Sequence, residues 1–133
     1  MNFKKLSRKK YLRDDGWLAE LISSVHNDVP FRNIHSYLVL IKPGHYRAMH
    51  YHNKKEEWIG LAAGTLKVVL EDIRTKKRNE IELDKDAKDY SLVYIPSKIA
   101  HVVKNIGNVD ASIVVFSKTA EIPGDTVDYQ MEV

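Results

Sequence analysis

Short apolar runs, each stopped by a turn residue, recur along the chain, and this cadence constrains the fold more than any other feature. Tyr37-Leu38-Val39-Leu40-Ile41 ends at Pro43-Gly44, and the run from Trp58 to Ala62 ends at Gly64. Leu66, Val68 and Leu70 alternate with Lys67 and Val69, which predicts a half-buried strand. A polar turn over residues 74–79 follows, and Glu80-Ile81-Glu82-Leu83 returns from it. Tyr90 to Ile95 stops at Pro96, Ala100 to Val103 precedes a Gly107-Asn108 turn, and Ala111 to Phe116 is the last clear run. Strands this short and this evenly spaced predict an all-β barrel or sandwich. Near the start, Asp14-Asp15-Gly16 signals a turn, and Trp17 to Ile22 reads equally as strand or short helix. The tail after Pro123-Gly124 reads as peripheral.

The length of 133 residues suits one domain over residues 1–133, and 44% hydrophobic residues suffice for a core. The sequence has no cysteine, which excludes disulfides and thiolate metal sites and fits a cytoplasmic location. No apolar run reaches the length of a membrane span, and the basic start lacks the apolar stretch of a secretory signal. The formal net charge is +3, with basic residues dense before Arg13 and again at Arg74-Thr75-Lys76-Lys77-Arg78. Aromatic residues do not interleave with these runs as single-strand binding needs, so nucleic acid is not an expected partner. A nucleotide diphosphate is a more economical anionic ligand.

Two imidazoles one residue apart, His50 and His52, point the same way on a strand, because strand side chains alternate faces. Glu57 follows, and His101 stands after Pro96 in a second strand-rich block. Three imidazoles and one carboxylate suit a divalent metal with positions left open for substrate or water. Zinc is the first expectation, with iron, nickel and manganese as alternatives. Glu56 adjoins Glu57, and the count to Gly64 favours Glu57. Arg47, three residues before His50, reads either as a surface ion pair or as a fork for phosphate. His35 lines a barrel mouth or sits on a plain exposed strand; His45 follows a turn glycine and faces solvent; His26 lies in a polar loop. Tyr94 either packs or points its hydroxyl inward as a catalytic group.

The spacing resembles the cupin superfamily. Its first motif is a glycine, five residues, His-x-His, three or four residues, a glutamate, six residues and a glycine; Gly44, His50, His52, Glu57 and Gly64 fit it. The second motif has Pro-x-Gly, two residues, a histidine, three residues and an asparagine; Pro96, His101 and Asn105 fit, while Tyr90 and Lys98 stand at the motif's glycine positions. The resemblance implies a double-stranded β-helix, a jelly-roll barrel. Within the superfamily, Asp14 to Glu20, Pro43-Gly44 and Arg47 to His52 look like the cupins of nucleotide-sugar biosynthesis. That group comprises dTDP-4-dehydrorhamnose 3,5-epimerase relatives, dTDP-sugar 3,4-ketoisomerases and the C-terminal cupin domain of capsular polysaccharide reductases. Its recurring Asp-x-Arg-Gly opening and Arg-Gly-x-His pattern are altered here, with Asp15 in place of the opening arginine and Ala48 in place of the second glycine.

The resemblance implies an epimerase or isomerase acting on a nucleotide-linked 4-keto-deoxy sugar in polysaccharide biosynthesis. The family's catalytic base falls at His50; in its metal-bearing members His50, His52, Glu57 and His101 would be ligands. Arg47 and His35 would contact the substrate, and a homodimer is expected. The alternatives are a metal-dependent cupin oxygenase and a small-molecule-binding cupin without turnover.

Overall fold

Strand-forming runs become strands wherever the sequence predicts them. The computed structural model describes residues 1–23, 25–29 and 33–133. In chain order the strands are β1 (Lys4–Arg8), β2 (Tyr11–Arg13), β3 (Gly16–Leu18), β4 (His35–Ile41), β5 (Tyr46–His52), β6 (Glu57–Ala63), β7 (Thr65–Asp72), β8 (Arg78–Asp84), β9 (Tyr90–Ile95), β10 (Ile99–Asn105), β11 (Ala111–Ser117) and β12 (Thr126–Asp128). One sheet has the order β1-β9-β6-β11-β4, the other β12-β5-β10-β7-β8, and β2-β3 forms a separate hairpin on the Asp14-Asp15 turn. The chain passes from one large sheet to the other at most connections, which makes the double-stranded β-helix of a cupin barrel. The ambiguous segment from Trp17 resolves as strand only as far as Leu18.

The core follows from alternation. Ile59, Leu61, Val93, Ile95, Ile113 and Val115 project from the first sheet against Leu66, Val68, Leu70, Ile81, Leu83 and Val103 of the second. Burying each such side chain contributes about 1.5–3 kcal/mol. β10 is buried on both faces, because Val102 on its outer face packs with Met49 and Val69 under Met131 and Val133 of the tail. The tail is therefore not peripheral, as its sequence suggested. β12 pairs with β5, and Tyr129 stands 6.0 Å from Tyr51, ring to ring.

Left-handed turns mark the sheet crossings. Gly64 has φ +84°, and a Cβ there would lie 2.6 Å from the Cβ of Ala111, so only glycine fits. Lys98 has φ 68° at the position where the second cupin motif has glycine. The turn survives this substitution: Lys98 N donates to His52 O at 2.8 Å, and its Nζ donates to Asn53 Oδ1 at 2.5 Å. Among the described residues no helix is long and apolar enough to cross a membrane.

Candidate metal centre

β5 and β10 lie side by side with His50 opposite His101, and the register then slips between His101 and Val102, so that Ala48 faces Val102 and Arg47 faces Val103. The slip is a bulge, with Ala48 at φ 75° and Met49 at φ 66°. Side chains three apart on a regular strand face opposite ways. The bulge resets the alternation, so Met49 packs on the outside while Arg47 and His50 both line the same interior cavity. Ala48 adopts a backbone conformation that costs glycine little and alanine more.

Four side chains converge at this end of the barrel. His50, His52 and His101 come from the second sheet and Glu57 from the first; one ligand atom of each lies within 4.8 Å of the others. Ring centroids are 4.8 Å apart for His50 and His52, 4.9 Å for His50 and His101, and 5.7 Å for His52 and His101. Glu57 Oε1 lies 3.1 Å from His52 Nε2 and 3.3 Å from His101 Nε2. When those nitrogens carry protons they donate to the carboxylate; when they do not, the same atoms form a donor set for a cation. Oε2 accepts from Tyr37 Oη at 2.9 Å and lies 3.6 Å from Lys55 Nζ, which turns Oε1 toward the imidazoles.

The histidines differ in how they are held. His101 Nδ1 lies 3.1 Å from the carbonyl oxygen of Ile99, which fixes a proton on Nδ1 and frees Nε2 as a ligand. His52 Nδ1 lies 3.2 Å from Thr126 Oγ1 and 3.8 Å from Asp125 Oδ2. Among the described residues the His50 ring has ring neighbours but no hydrogen-bond partner. Burial, then the neighbouring His101 and His52, lower its pKa to about 4, so it is neutral at pH 7. For Glu57, burial alone would raise the pKa; the hydrogen bonds from His101 and His52 outweigh it and hold the carboxyl well below its ordinary range. Burial, followed by the Glu57 charge and hydrogen bond, pushes the Tyr37 hydroxyl above its ordinary range, so it stays a donor. Three imidazoles and a carboxylate, two of the imidazoles with the remote nitrogen hydrogen-bonded, fit a divalent ion such as zinc, iron, nickel or manganese.

A cavity of about 120 Å³ at the cluster is lined by Arg47, Tyr37, Val39 and Val103 among others. A wider depression of about 530 Å³ shares Tyr37 and His50 with it and is lined also by His35, His52, Lys55, Glu121 and Thr126. His35 thus borders the wider depression and Arg47 the smaller cavity, both exposed. His45 is exposed as expected, with its ring near the Pro43 carbonyl. Tyr94 is not brought to the cluster. Its neighbour Ile95 is the register partner of Glu57, so Tyr94 projects to the opposite face, where its ring lies 4.9 Å from Trp58 and its hydroxyl meets Glu56. The sequence reading missed Tyr37, Lys55, Asp125 and Thr126. Tyr37 shares a strand face with His35, so strand parity carried a signal for it; Lys55 lies in the loop before β6, and nothing local marks it, Asp125 or Thr126.

The sequence profile of the polysaccharide biosynthesis C-terminal domain family matches residues 14–126. The spore coat polysaccharide biosynthesis protein SpsL of Bacillus subtilis (strain 168) is 27% identical over 117 residues, covering 86% of this chain and 77% of SpsL. A dTDP sugar isomerase from Desulfovibrio desulfuricans G20 superposes with a TM-score of 0.84 at 16% identity, over 97% of this chain and 84% of that one. The 3,5-epimerase RmlC from Legionella pneumophila Philadelphia 1, solved with dTDP-4-keto-L-rhamnose, superposes with a TM-score of 0.79 at 17% identity, over 95% and 71% of the two chains. The capsular polysaccharide assembling protein CapF from Staphylococcus aureus superposes with a TM-score of 0.69 at 21% identity, over 93% of this chain and 34% of CapF.

Proposed function

We propose a reaction for a chain that belongs to the polysaccharide biosynthesis C-terminal domain family: epimerisation or isomerisation of a nucleotide-linked 4-keto-deoxy sugar, by removal of a proton beside the ketone. The observation that carries this reading is the convergence of His50, His52, Glu57 and His101 between a cavity lined by Arg47 and a wider depression lined by His35 and Lys55. A 4-keto sugar has acidic protons on the carbons next to its carbonyl. Removing one leaves an enediolate, whose charge needs fixed positive groups or donors. Bound at the four donors, a divalent ion, zinc first, would polarise the ketone as a Lewis acid.

The chain's own residues supply the rest. Where an ion does not draw on His50, this ring is neutral at pH 7 and, among the described residues, is the site imidazole without a hydrogen bond, so it would accept the proton at a ring nitrogen; where His50 is a ligand, its part is to hold the ion. Lys55, only 8% exposed, adds a positive charge beside the carboxylate. Arg47 holds a phosphate of the nucleotide at the rim, where its guanidinium suits two oxygens at once. Return of the proton to the other face gives epimerisation; return to the neighbouring carbon gives isomerisation. Tyr94 has no part in this scheme. The protein works in the cytoplasm as a homodimer, for which β4 offers an exposed edge with Leu38 and Leu40 uncovered.

The test is incubation with 4-keto-6-deoxy nucleotide sugars in deuterated water. Wild-type protein incorporates deuterium beside the ketone, and His50→Ala abolishes it. Arg47→Ala raises KM and leaves kcat nearly unchanged, since a phosphate contact is made equally in ground and transition states. Wild-type protein that exchanges no such sugar but consumes oxygen when loaded with iron would replace this reading with the oxygenase. Binding of the sugar without exchange would point to a cupin that binds without turnover.

A further inference from the structure

We infer that the segment Asp125–Thr126 positions the candidate site: Thr126 sets the ring of His52, and Asp125 sets the loop that delivers Lys55 and Glu57. The inference rests on the reading of His52 as a ligand, and it extends the site to a strand far along the sequence.

An imidazole offers one nitrogen to a metal or substrate, and which one is fixed by the hydrogen bond made at the other. His101 solves this within its own strand, through the carbonyl of Ile99 two residues before it. His52 has no such local partner. Its Nδ1 faces β12, where Thr126, its register partner across the β5–β12 pair, places Oγ1 at 3.2 Å. Without β12, His52 would sit on a sheet edge with Nδ1 toward water and a ring free to turn.

Asp125 is buried, at 4% exposure, and acts on the backbone. Its Oδ1 accepts from Lys54 N at 2.7 Å, its Oδ2 from Lys55 N at 3.0 Å, and its carbonyl oxygen from Asn53 N at 3.0 Å. Three successive amides of the loop after β5 therefore end on one residue. Hydrogen bonds to an ionised carboxylate are among the stronger ones in proteins. The loop they hold spans the gap between His52 and Glu57, so its path decides whether the carboxylate of one sheet reaches the imidazoles of the other. Neither Asp125 nor Thr126 contacts the shared centre in place of a ligand; both act through residues that do.

The experiment uses the full chain in three forms, wild type, Thr126→Val and Thr126→Ser. Side-chain ¹H–¹⁵N correlation spectra of the histidines are recorded on chelator-treated protein, and zinc affinity is measured by competition with a chromogenic chelator. Thr126→Val should shift or broaden the His52 nitrogen signals, leave those of His101 in place, and weaken zinc binding by about 10- to 100-fold. Thr126→Ser, which restores a hydroxyl, should recover both. Unchanged His52 signals together with unchanged zinc affinity in Thr126→Val would overturn the inference. Wild-type protein that binds no zinc would remove the metal reading; the His52 signals of Thr126→Val would then decide the inference alone, unchanged signals overturning it. For Asp125, Asp125→Asn should speed hydrogen exchange at the Lys54 and Lys55 amides while Val68 in the core stays protected. Equal exchange at those two amides would remove Asp125 from the proposal.

Discussion

The two large sheets face the same problem, an apolar outer surface, and meet it differently. The sheet that carries the three histidines is covered by its own chain: Met49, Val69 and Val102 lie under Met131 and Val133, and Tyr51 meets Tyr129. The sheet that carries Glu57 is covered at one side, where Trp58 packs against Tyr94, and open at the other, where Leu38 is 71% and Leu40 55% exposed on the edge strand β4. The imidazole wall is thus fixed by intrachain packing, whereas the wall that supplies Glu57 and Tyr37 ends in a strand that has one neighbour. A site built across both sheets inherits rigidity from the first and sensitivity to edge contacts from the second.

The largest effect should come from Glu57, the one candidate ligand that the open sheet supplies among the described residues. Glu57→Gln keeps the shape and removes the charge. It should weaken zinc binding by more than about 100-fold, or about 2.7 kcal/mol, since loss of an outer partner alone costs about 10–100-fold. Chelator competition on the purified variant measures this, and an affinity within threefold of wild type would show that the imidazoles suffice.

The covered sheet should respond in stability instead. Met49→Ala opens a gap beneath the tail and should cost about 2–3 kcal/mol in urea unfolding, at the lower end for a buried methionine because the tail can settle. Leu38→Lys on the open sheet should change stability by less than about 0.5 kcal/mol and yet turn the proposed homodimer to monomer in sedimentation. A dimer that persists would place the subunit contact elsewhere.

These contrasts explain what the sequence could and could not convey. His50, His52 and Glu57 were legible because their spacing is local and strand alternation turns spacing into direction; His101 was legible from its own spacing to Pro96 and Asn105. Tyr94 was misread for want of one register: opposite Glu57 stands Ile95, and the neighbouring Tyr94 faces away. The inward turn of Arg47 depends on a bulge at Ala48 and Met49, where neither residue type signals a left-handed backbone. Asp125 and Thr126 act across more than 70 positions of sequence, and such pairing leaves no local pattern.

Acid should destabilise the fold through His50. Its folded pKa is lowered from 6.5 to about 4. Between those values the unfolded chain binds a proton that the folded chain does not, so stability falls as pH drops from about 6.5 to 4. His50 is partly exposed, so the loss after screening is on the order of 1–2 kcal/mol. Urea midpoints of chelator-treated protein at pH 7.5 and 4.5 should show it, and His50→Gln should flatten the difference. An equal pH dependence in the variant would assign the effect to another group.

The smallest effect concerns the crossing from the open sheet to the covered one, between β9 and β10. At the crossing from β6 to β7 the chain keeps Gly64, which nothing larger can replace. At this one it has Lys98 at φ 68°. Lys98→Gly would relieve the left-handed strain, worth roughly 1 kcal/mol for a residue with a Cβ. Against that, glycine loses more entropy on folding, about 0.4–1 kcal/mol, and the exposed Lys98–Asn53 hydrogen bond is lost. The backbone bond from Lys98 N to His52 O is retained in either case, so the histidine strand keeps its anchor. The net change should lie within about 0.5 kcal/mol of zero, read from urea midpoints, with zinc affinity unaltered. A loss above 1 kcal/mol would mean that the lysine side chain, rather than the turn backbone, holds β5 to the crossing.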